Sequence, residues 1–266
     1  MLLDASQNGF EQHGLTHSSA SQINQYAACP YMWVAQYLFN KRTPFGAAAK
    51  SGVLVEEAIV NVLAKGFTEE QAIQSAIAEY QKFTALRATD SDVKRGEAME
   101  GMIKLGLTEL KQYGEPEFDG LDQYGKMKQK KVEIFCNGDG WRFPIIGFID
   151  LYFPKHGKII DLKSTMKMPS SMSDSHLRQA CIYQTAKEFS NQSVEFLYLT
   201  GKKAQTFVCP PTAETLADIK TILNKQEEML RTGTRDQIVA EMRKYIPHES
   251  STFYHDAPIT KEIFNV

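Results

Sequence analysis

The spacing of apolar residues changes from a helical to a strand period about halfway along the chain. Over 47–65 the apolar residues Val53, Ala58, Val60 and Leu63 share one helical face, and the spacing predicts a helix throughout. Residues 68–83 predict a second amphipathic helix, capped by Thr68 with Glu70 and Gln71 close behind. Residues 92–113 predict a third. Upstream, Ser19 or Ser21 can cap a helix through Ile23, Tyr26 and Ala27. Cys29 and Pro30 interrupt it before an aromatic-rich helical segment over 31–39. Residues 1–17 read as a flexible lead-in and 114–125 as an acidic loop. From Lys126 onward the period falls to two: Val132, Glu133, Ile134 and Phe135 alternate, a turn over 137–140 follows, and 141–153 reads as a strand. A helix over 176–189 capped by Ser175, strands at 194–199 and 204–208, and a helix over 212–230 complete the order. A further helix and a tail rich in Pro, His and aromatics occupy 233–266.

Chemistry concentrates in one predicted hairpin. Gly147, Phe148, Ile149 and Asp150 form one apolar run ending in an acid, and Ile159, Ile160, Asp161, Leu162 and Lys163 form another. The turn formers between them predict strands over 145–153 and 158–163 about a turn near His156 and Gly157. Partners across that turn have numbers summing to about 311–313, which places Asp150 level with Asp161. Asp161 and Lys163 share a face, and Leu162 points the other way. Two adjacent carboxylates raise each other's pKa unless a cation lies between them. Oxygen donors suit Mg²⁺ or Mn²⁺. A lysine beside the ion can orient or deprotonate a water, or stabilise charge building on a phosphate. The plainer alternative is a surface hairpin with a solvated ion pair. Against it, strands this apolar more often end in Val, Ile or Thr than in acids.

Bulk properties narrow the setting. The 266 residues are 42% hydrophobic and 23% charged, which is ordinary globular composition. No apolar run approaches the ~18 residues that span a bilayer, and the first residues lack the pattern of a secretion signal. Cys29, Cys136, Cys181 and Cys209 are scattered without a C-x-x-C pair, which argues against zinc and for reduced thiols in the cytoplasm. With a net charge of −2, any nucleic-acid surface must be a local patch. Lys130 and Lys131 are candidates for backbone contacts, although such a run also protects an edge strand from aggregation.

These residues resemble the PD-(D/E)XK nuclease superfamily, in particular its RecB-like and Cas4-like exonuclease branch. The resemblance rests on Gly147 to Asp150, then Asp161-Leu162-Lys163, then Gln179 and Tyr183 four residues apart. Weaker matches lie at Ser19, Ser21, Tyr26, Cys29 and Pro30, and at Gly52 with Glu56. It implies an α/β fold with a restriction-endonuclease-like core, a central mixed β-sheet flanked by helices, and an inserted helical subdomain. A single nuclease domain over 1–266 is expected. Residues 18–125 would be its mostly helical part, 126–210 the catalytic sheet with the helix of Gln179 and Tyr183, and 211–266 the C-terminal helices and tail.

The resemblance also implies roles. Asp150 and Asp161, joined by Glu56 and the carbonyl of Leu162, would hold Mg²⁺ or Mn²⁺, and Lys163 would position the attacking water. Glu56 stands where relatives carry a histidine or glutamate ligand, although Glu56 and Glu57 also read as ordinary solvated acids. Glu133 falls at a position often acidic in the family. Gln179 and Tyr183 lie one helical turn apart and would line the site. Ser164, Thr165 and Arg178 join Lys130 and Lys131 as candidate DNA contacts. Some relatives hold an iron–sulfur cluster. Here Cys29 fits the upstream place but only Cys209 lies far downstream, so no cluster is expected. The implied activity is a metal-dependent deoxyribonuclease trimming DNA ends in recombination, repair or phage DNA metabolism, in the cytoplasm (the host's, if phage-encoded). The alternatives are a structure-specific endonuclease and a non-cleaving nuclease-fold DNA-binding module. No G-x-x-x-x-G-K-[ST] phosphate loop occurs. The chain would therefore act alone, as a homo-oligomer, or with a separate helicase or single-strand annealing protein.

Overall fold

The computed structural model describes residues 8–42, 44–138, 140–209, 212–247 and 258–265. In chain order the helices are α1 (Gly9–Gln12), α2 (Ala20–Ala28), α3 (Pro30–Trp33), α4 (Ala47–Lys65), α5 (Glu69–Thr84), α6 (Asp90–Leu110), α7 (Asp174–Thr185), α8 (Ala213–Arg231), α9 (Arg235–Met242) and α10 (Pro258–Phe264). The strands are β1 (Lys130–Gly138), β2 (Trp141–Ile149), β3 (Leu151–Phe153), β4 (Lys158–Ser164), β5 (Ser193–Leu199) and β6 (Ala204–Val208). Two compact units result. One comprises Phe45–Val132 and Phe148–Pro210, the other Met1–Pro44, Glu133–Gly147 and Pro211–Val266.

The first unit carries the mixed sheet, ordered β3-β4-β5-β6. β3 and β4 run antiparallel with Leu151 opposite Ile160 and Phe153 opposite Lys158, so partner numbers sum as the turn formers predict. β4 and β5 are parallel, with Asp161 beside Phe196 and Lys163 beside Tyr198. β6 returns antiparallel to β5. Because side chains alternate along a strand, Leu151, Phe153, Ile160, Leu197 and Leu199 point to one face. There they join Leu54, Ile59, Met99, Met102, Ile103 and Leu107 of α4 and α6 in a single core. The helical stretch expected as an inserted subdomain is therefore the cover of this sheet face. Its amphipathic stripes needed an apolar partner, and the strands supply it. Gly101 sits where a Cβ would come 2.1 Å from the Gly201 carbonyl oxygen, so glycine lets α6 approach the β5–β6 turn. The opposite face carries Asp161, Lys163, Phe196 and Tyr198, and α7 packs on that side through contacts described below.

Capping explains most helix starts. Thr68 and Thr89 each form a capping box, with Gln71 and Asp92 respectively, so Asp92 is the third residue of α6 and not its first. Ser173, and not Ser175, caps α7, because its Oγ accepts from the His176 backbone N–H. α7 ends at Thr185, and a short 3₁₀ turn carries the chain to Phe189. The strand expected over 141–153 breaks at Asp150, where the backbone bends between β2 and β3.

In the second unit, Ser19 caps α2 and Tyr26 donates to the Lys225 carbonyl at 3.2 Å. The segment after Pro30 is α3 followed by a π-helical turn over Val34–Leu38. The expected lead-in differs in its described part: Asn8 caps α1, and Phe10 is buried with its ring stacked 4.1 Å from Phe143. Residues 1–7, Asp139 of the expected turn and the tail over 248–257 lie outside the described residues. β1 and β2 pair with each other. β1 buries Val132, Ile134 and Cys136 and leaves Glu133 exposed. Among the described residues no helix is long and apolar enough to cross a membrane.

Candidate active site

Asp150 stands at the bend where β2 becomes β3, one residue beyond the last β3–β4 pair. Its Oδ2 accepts from the Leu162 backbone N–H at 2.9 Å, a bond that fixes the bend against β4. Asp161 lies mid-strand in β4 and is 1% exposed. Lys163, two residues on, reaches back along the same face to pair with Asp161 Oδ2. Its ammonium also donates to Gln179 Oε1 at 3.2 Å and sits 5.2 Å from the Phe196 ring centre.

α7 supplies the other wall. Gln179 Nε2 donates to Asp161 Oδ1 at 2.6 Å and to the Tyr183 hydroxyl oxygen at 2.7 Å. Tyr183 donates to the Phe148 carbonyl at 2.6 Å, with Asp161 Oδ1 3.4 Å away. Gln179 thus grips acid, amine and phenol together, and Tyr183 ties α7 to the backbone just before Asp150. Glu56 enters from α4, where Gln129 Nε2 donates both to Glu56 Oε1 at 2.8 Å and to Asp150 Oδ1 at 2.9 Å. Glu57, its neighbour, is committed elsewhere, in an ion pair with Lys126.

Crowding of buried acids sets the electrostatics. Burial, reinforced by Asp161 and Glu56, holds the Asp150 carboxyl well above the usual carboxylate range. Burial raises Asp161 too, against the pull of Lys163. Burial and then Asp161 push Glu56 up to about 7. For Lys163 burial acts downward, but the Asp161 and Asp150 carboxylates outweigh it and the pKa rises. Lys163 is therefore an ammonium at neutral pH, suited to orienting and stabilising charge and not to accepting a proton. Burial lifts the Tyr183 phenol well above its ordinary range, so it stays a donor.

These residues fit a divalent cation. All the acidic donors are oxygens, three carboxylates are held above their usual range by confinement, and Asp161 Oδ2 has no hydrogen bond beyond the ionic contact with Lys163. The side chains do not form an open cage as they stand. Among the described residues no three His, Cys, Asp or Glu are gathered in a metal-holding group. Instead the Gln129 amide bridges Glu56 and Asp150, and Lys163 lies on Asp161. Both are hydrogen-bond donors meeting the same negative charge that a cation would meet.

Of the residues expected from sequence, Glu56, Asp150, Asp161, Leu162, Lys163, Gln179 and Tyr183 are brought together. The candidate DNA contacts are more scattered. Lys130 is held by Glu117 at 2.7 Å and Asp119 at 3.1 Å, so its charge is spent within the fold. Lys131 is exposed, with its backbone N–H on Asp119. Thr165 closes a local turn, its hydroxyl donating to the Lys167 carbonyl at 3.0 Å. Ser164 lies close to Gly52 of α4, where a Cβ would come 3.2 Å from its Oγ. Arg178 is half-buried on α7. None of the four cysteines forms a disulfide, and all are buried.

Sequence reasoning missed Gln129 and His176. His176 lies one turn before Gln179 on α7, a spacing that was available to read. Its Nδ1 shares a hydrogen bond with the Tyr198 hydroxyl, and its ring stacks on Phe196 at 5.5 Å. Burial, with help from Lys163, lowers its pKa to about 4. An NMR titration should accordingly show His176 neutral down to about pH 4. Protonation near the ordinary value of about 6.5 would mean the ring is solvated. A depressed histidine contributes stability above its unfolded pKa that is lost as pH falls, so its imidazole should favour the fold at neutral pH.

No curated protein matches the chain. Among solved structures, the crystal structure of SSO0001 is similar at 14% identity, covering 75% of this chain and 96% of that one, with a TM-score of 0.38. A likeness that distant carries no argument about activity. The PD-(D/E)XK nuclease superfamily model, by contrast, matches residues 17–253. Matched over most of its length, this chain belongs to the PD-(D/E)XK nuclease superfamily.

Proposed function

We propose that the protein is a divalent-metal-dependent deoxyribonuclease of the RecB-like and Cas4-like branch, acting as an exonuclease on DNA ends in recombination, repair or phage DNA metabolism. One observation carries the reading: Asp150, Asp161 and Lys163 meet around the Gln179–Tyr183 clamp, with Glu56 alongside. Asp150 and Asp161, with Glu56 and the Leu162 carbonyl, would hold Mg²⁺ or Mn²⁺. Such an ion supplies Lewis acidity and brings the pKa of a water toward neutrality.

The chain's own residues do the positioning. The Leu162 N–H locks Asp150, and Gln179 occupies Asp161 Oδ1, which leaves Oδ2 facing Lys163. The Lys163 ammonium, gripped by Asp161 and Gln179, orients the attacking water and stabilises charge on the phosphate oxygens. Hydrolysis forms one P–O bond to water and breaks one to the departing nucleoside oxygen. The family match runs through both compact units, which supports reading residues 1–266 as one nuclease domain. The protein would act alone, as a homo-oligomer, or with a separate helicase or single-strand annealing protein.

The test is incubation of end-labelled linear and closed circular DNA with Mg²⁺, Mn²⁺ or EDTA. Metal-dependent loss of linear DNA alone supports the exonuclease. Nicked circles would make it an endonuclease, and binding without cleavage would make it a non-cleaving module.

A further inference from the structure

Beside the acidic centre, in the same unit, lies a groove of about 770 Å³ between α4 and the loop leading to β1. Glu56, Gln129 and Phe148 line it, so it reaches the edge of the acidic centre at Glu56 and at the Gln129 amide that joins Glu56 to Asp150. Three rings on its walls face solvent: Tyr124 is 79% exposed, Phe148 50% and Phe67 42%. Exposed aromatics grouped beside a site are costly in water and call for a partner.

The loop presents Tyr124 by design of its own bonds. Asp122 Oδ1 accepts from the backbone N–H groups of Tyr124 and Lys126, both at 2.8 Å, and the Gly125 N–H donates to the Asp122 carbonyl at 3.0 Å. Two further ties bind this turn to α4. Lys65 donates to the Gly125 carbonyl at 2.8 Å, and Lys126 pairs with Glu57. Tyr124 therefore stands out from a pinned turn, its ring free and its backbone held. Lys128, on the same groove, is exposed.

We infer that this groove receives one unpaired nucleic-acid strand, with bases stacking on Tyr124, Phe67 and Phe148 and phosphates passing Lys128, before the strand reaches the acidic centre. A duplex keeps its bases stacked inside and offers these rings only phosphates and sugars, whereas a single strand offers free base faces. Charge is balanced in the groove, where Lys65, Lys126 and Lys128 meet Glu56, Glu57 and Asp122, so stacking carries the binding and Lys128 supplies a local phosphate contact. The inference rests on the nuclease reading above, because the groove and the proposed centre share Glu56.

Fluorescence anisotropy on the full chain in EDTA separates the two. A short labelled oligothymidylate and a blunt DNA duplex of equal length serve as probes. The single strand should bind more tightly. Tyr124→Ala and Phe67→Ala should each weaken its binding about tenfold, with duplex binding unchanged and Tyr124→Trp restoring the affinity. Circular dichroism melts check that Phe67→Ala folds. Equal affinity for strand and duplex, or affinity untouched by both substitutions, overturns the groove assignment whether or not the protein cleaves DNA. Ring-dependent strand binding by a wild type that cleaves nothing would support the groove and remove the nuclease reading.

Discussion

Lys163→Met should slow phosphodiester cleavage by about 10²–10³-fold, the usual loss when a preorganised electrostatic group is removed from a reaction centre. The methionine keeps most of the side chain's length but neither the charge, nor the donors, nor the ammonium's place over the Phe196 ring. The competing effect is unfolding, since removing one partner of a buried ion pair leaves the other uncompensated, at about 3–5 kcal/mol when it stays charged. Here that cost is reduced. Asp161 already has a raised pKa and can take up a proton, and its Oδ1 keeps the bond from Gln179. The variant should therefore be folded and strongly impaired, and its stability should fall as pH rises above the ordinary carboxylate value, because the folded state there holds a proton that the unfolded state releases. Single-turnover cleavage and thermal melts on the same samples read both effects. Lys163→Arg should not rescue, since a planar fork does not match a site built for one ammonium between a carboxylate and an amide oxygen. Wild-type rates in Lys163→Met would remove the lysine from the mechanism.

Saturating Mg²⁺ or Mn²⁺ should raise the melting temperature, and the rise should grow from pH 6 to pH 8. At about 100 times the dissociation constant a bound ligand contributes about 2.7 kcal/mol. For a chain of this length that is roughly 5–10 °C. The sign of the pH dependence follows from the raised acids. Without metal, Asp150, Asp161 and Glu56, the last with a pKa of about 7, hold protons more tightly in the folded than in the unfolded state. Metal-free stability should then fall as pH climbs from the ordinary carboxylate value through about 7. A cation needs the ionised forms, so it competes with those protons and binds more tightly over the same range. The two melting curves should diverge with pH, and Glu56→Gln should narrow the divergence. Scanning fluorimetry with Mg²⁺, Mn²⁺ and EDTA at several pH values gives the result directly. A shift that is absent, or larger at pH 6, would contradict the account.

The hairpin was legible in the sequence because local signals agreed. Two apolar runs flanked turn formers, and a period of two placed Asp161 and Lys163 on one face. Gln179 and Tyr183 were legible as one helical turn, and Thr68 as a cap, for the same local reason. What escaped depended on distance along the chain. Gln129 has no local signature, and its role appears only when it lies between Glu56 and Asp150, residues 73 and 21 positions away. Lys130 looked available to phosphate until Glu117 and Asp119, from a loop that read as merely acidic, closed on it. The stripes of α4 to α6 required an apolar partner without saying that β3, β4 and β5 were that partner. Ser173 and Ser175 are equivalent by composition, and only backbone geometry at His176 chooses between them. The π-helical turn over Val34–Leu38 follows from no local preference that we recognise.

Anomalous diffraction from crystals soaked in Mn²⁺ tests the central claim most directly. The account predicts a peak in contact with the carboxylates of Asp150 and Asp161, with the Gln129 amide withdrawn from Asp150, and no such peak in Asp161→Asn. Manganese bound elsewhere, or an undisturbed Gln129 bridge at saturating metal, would contradict it.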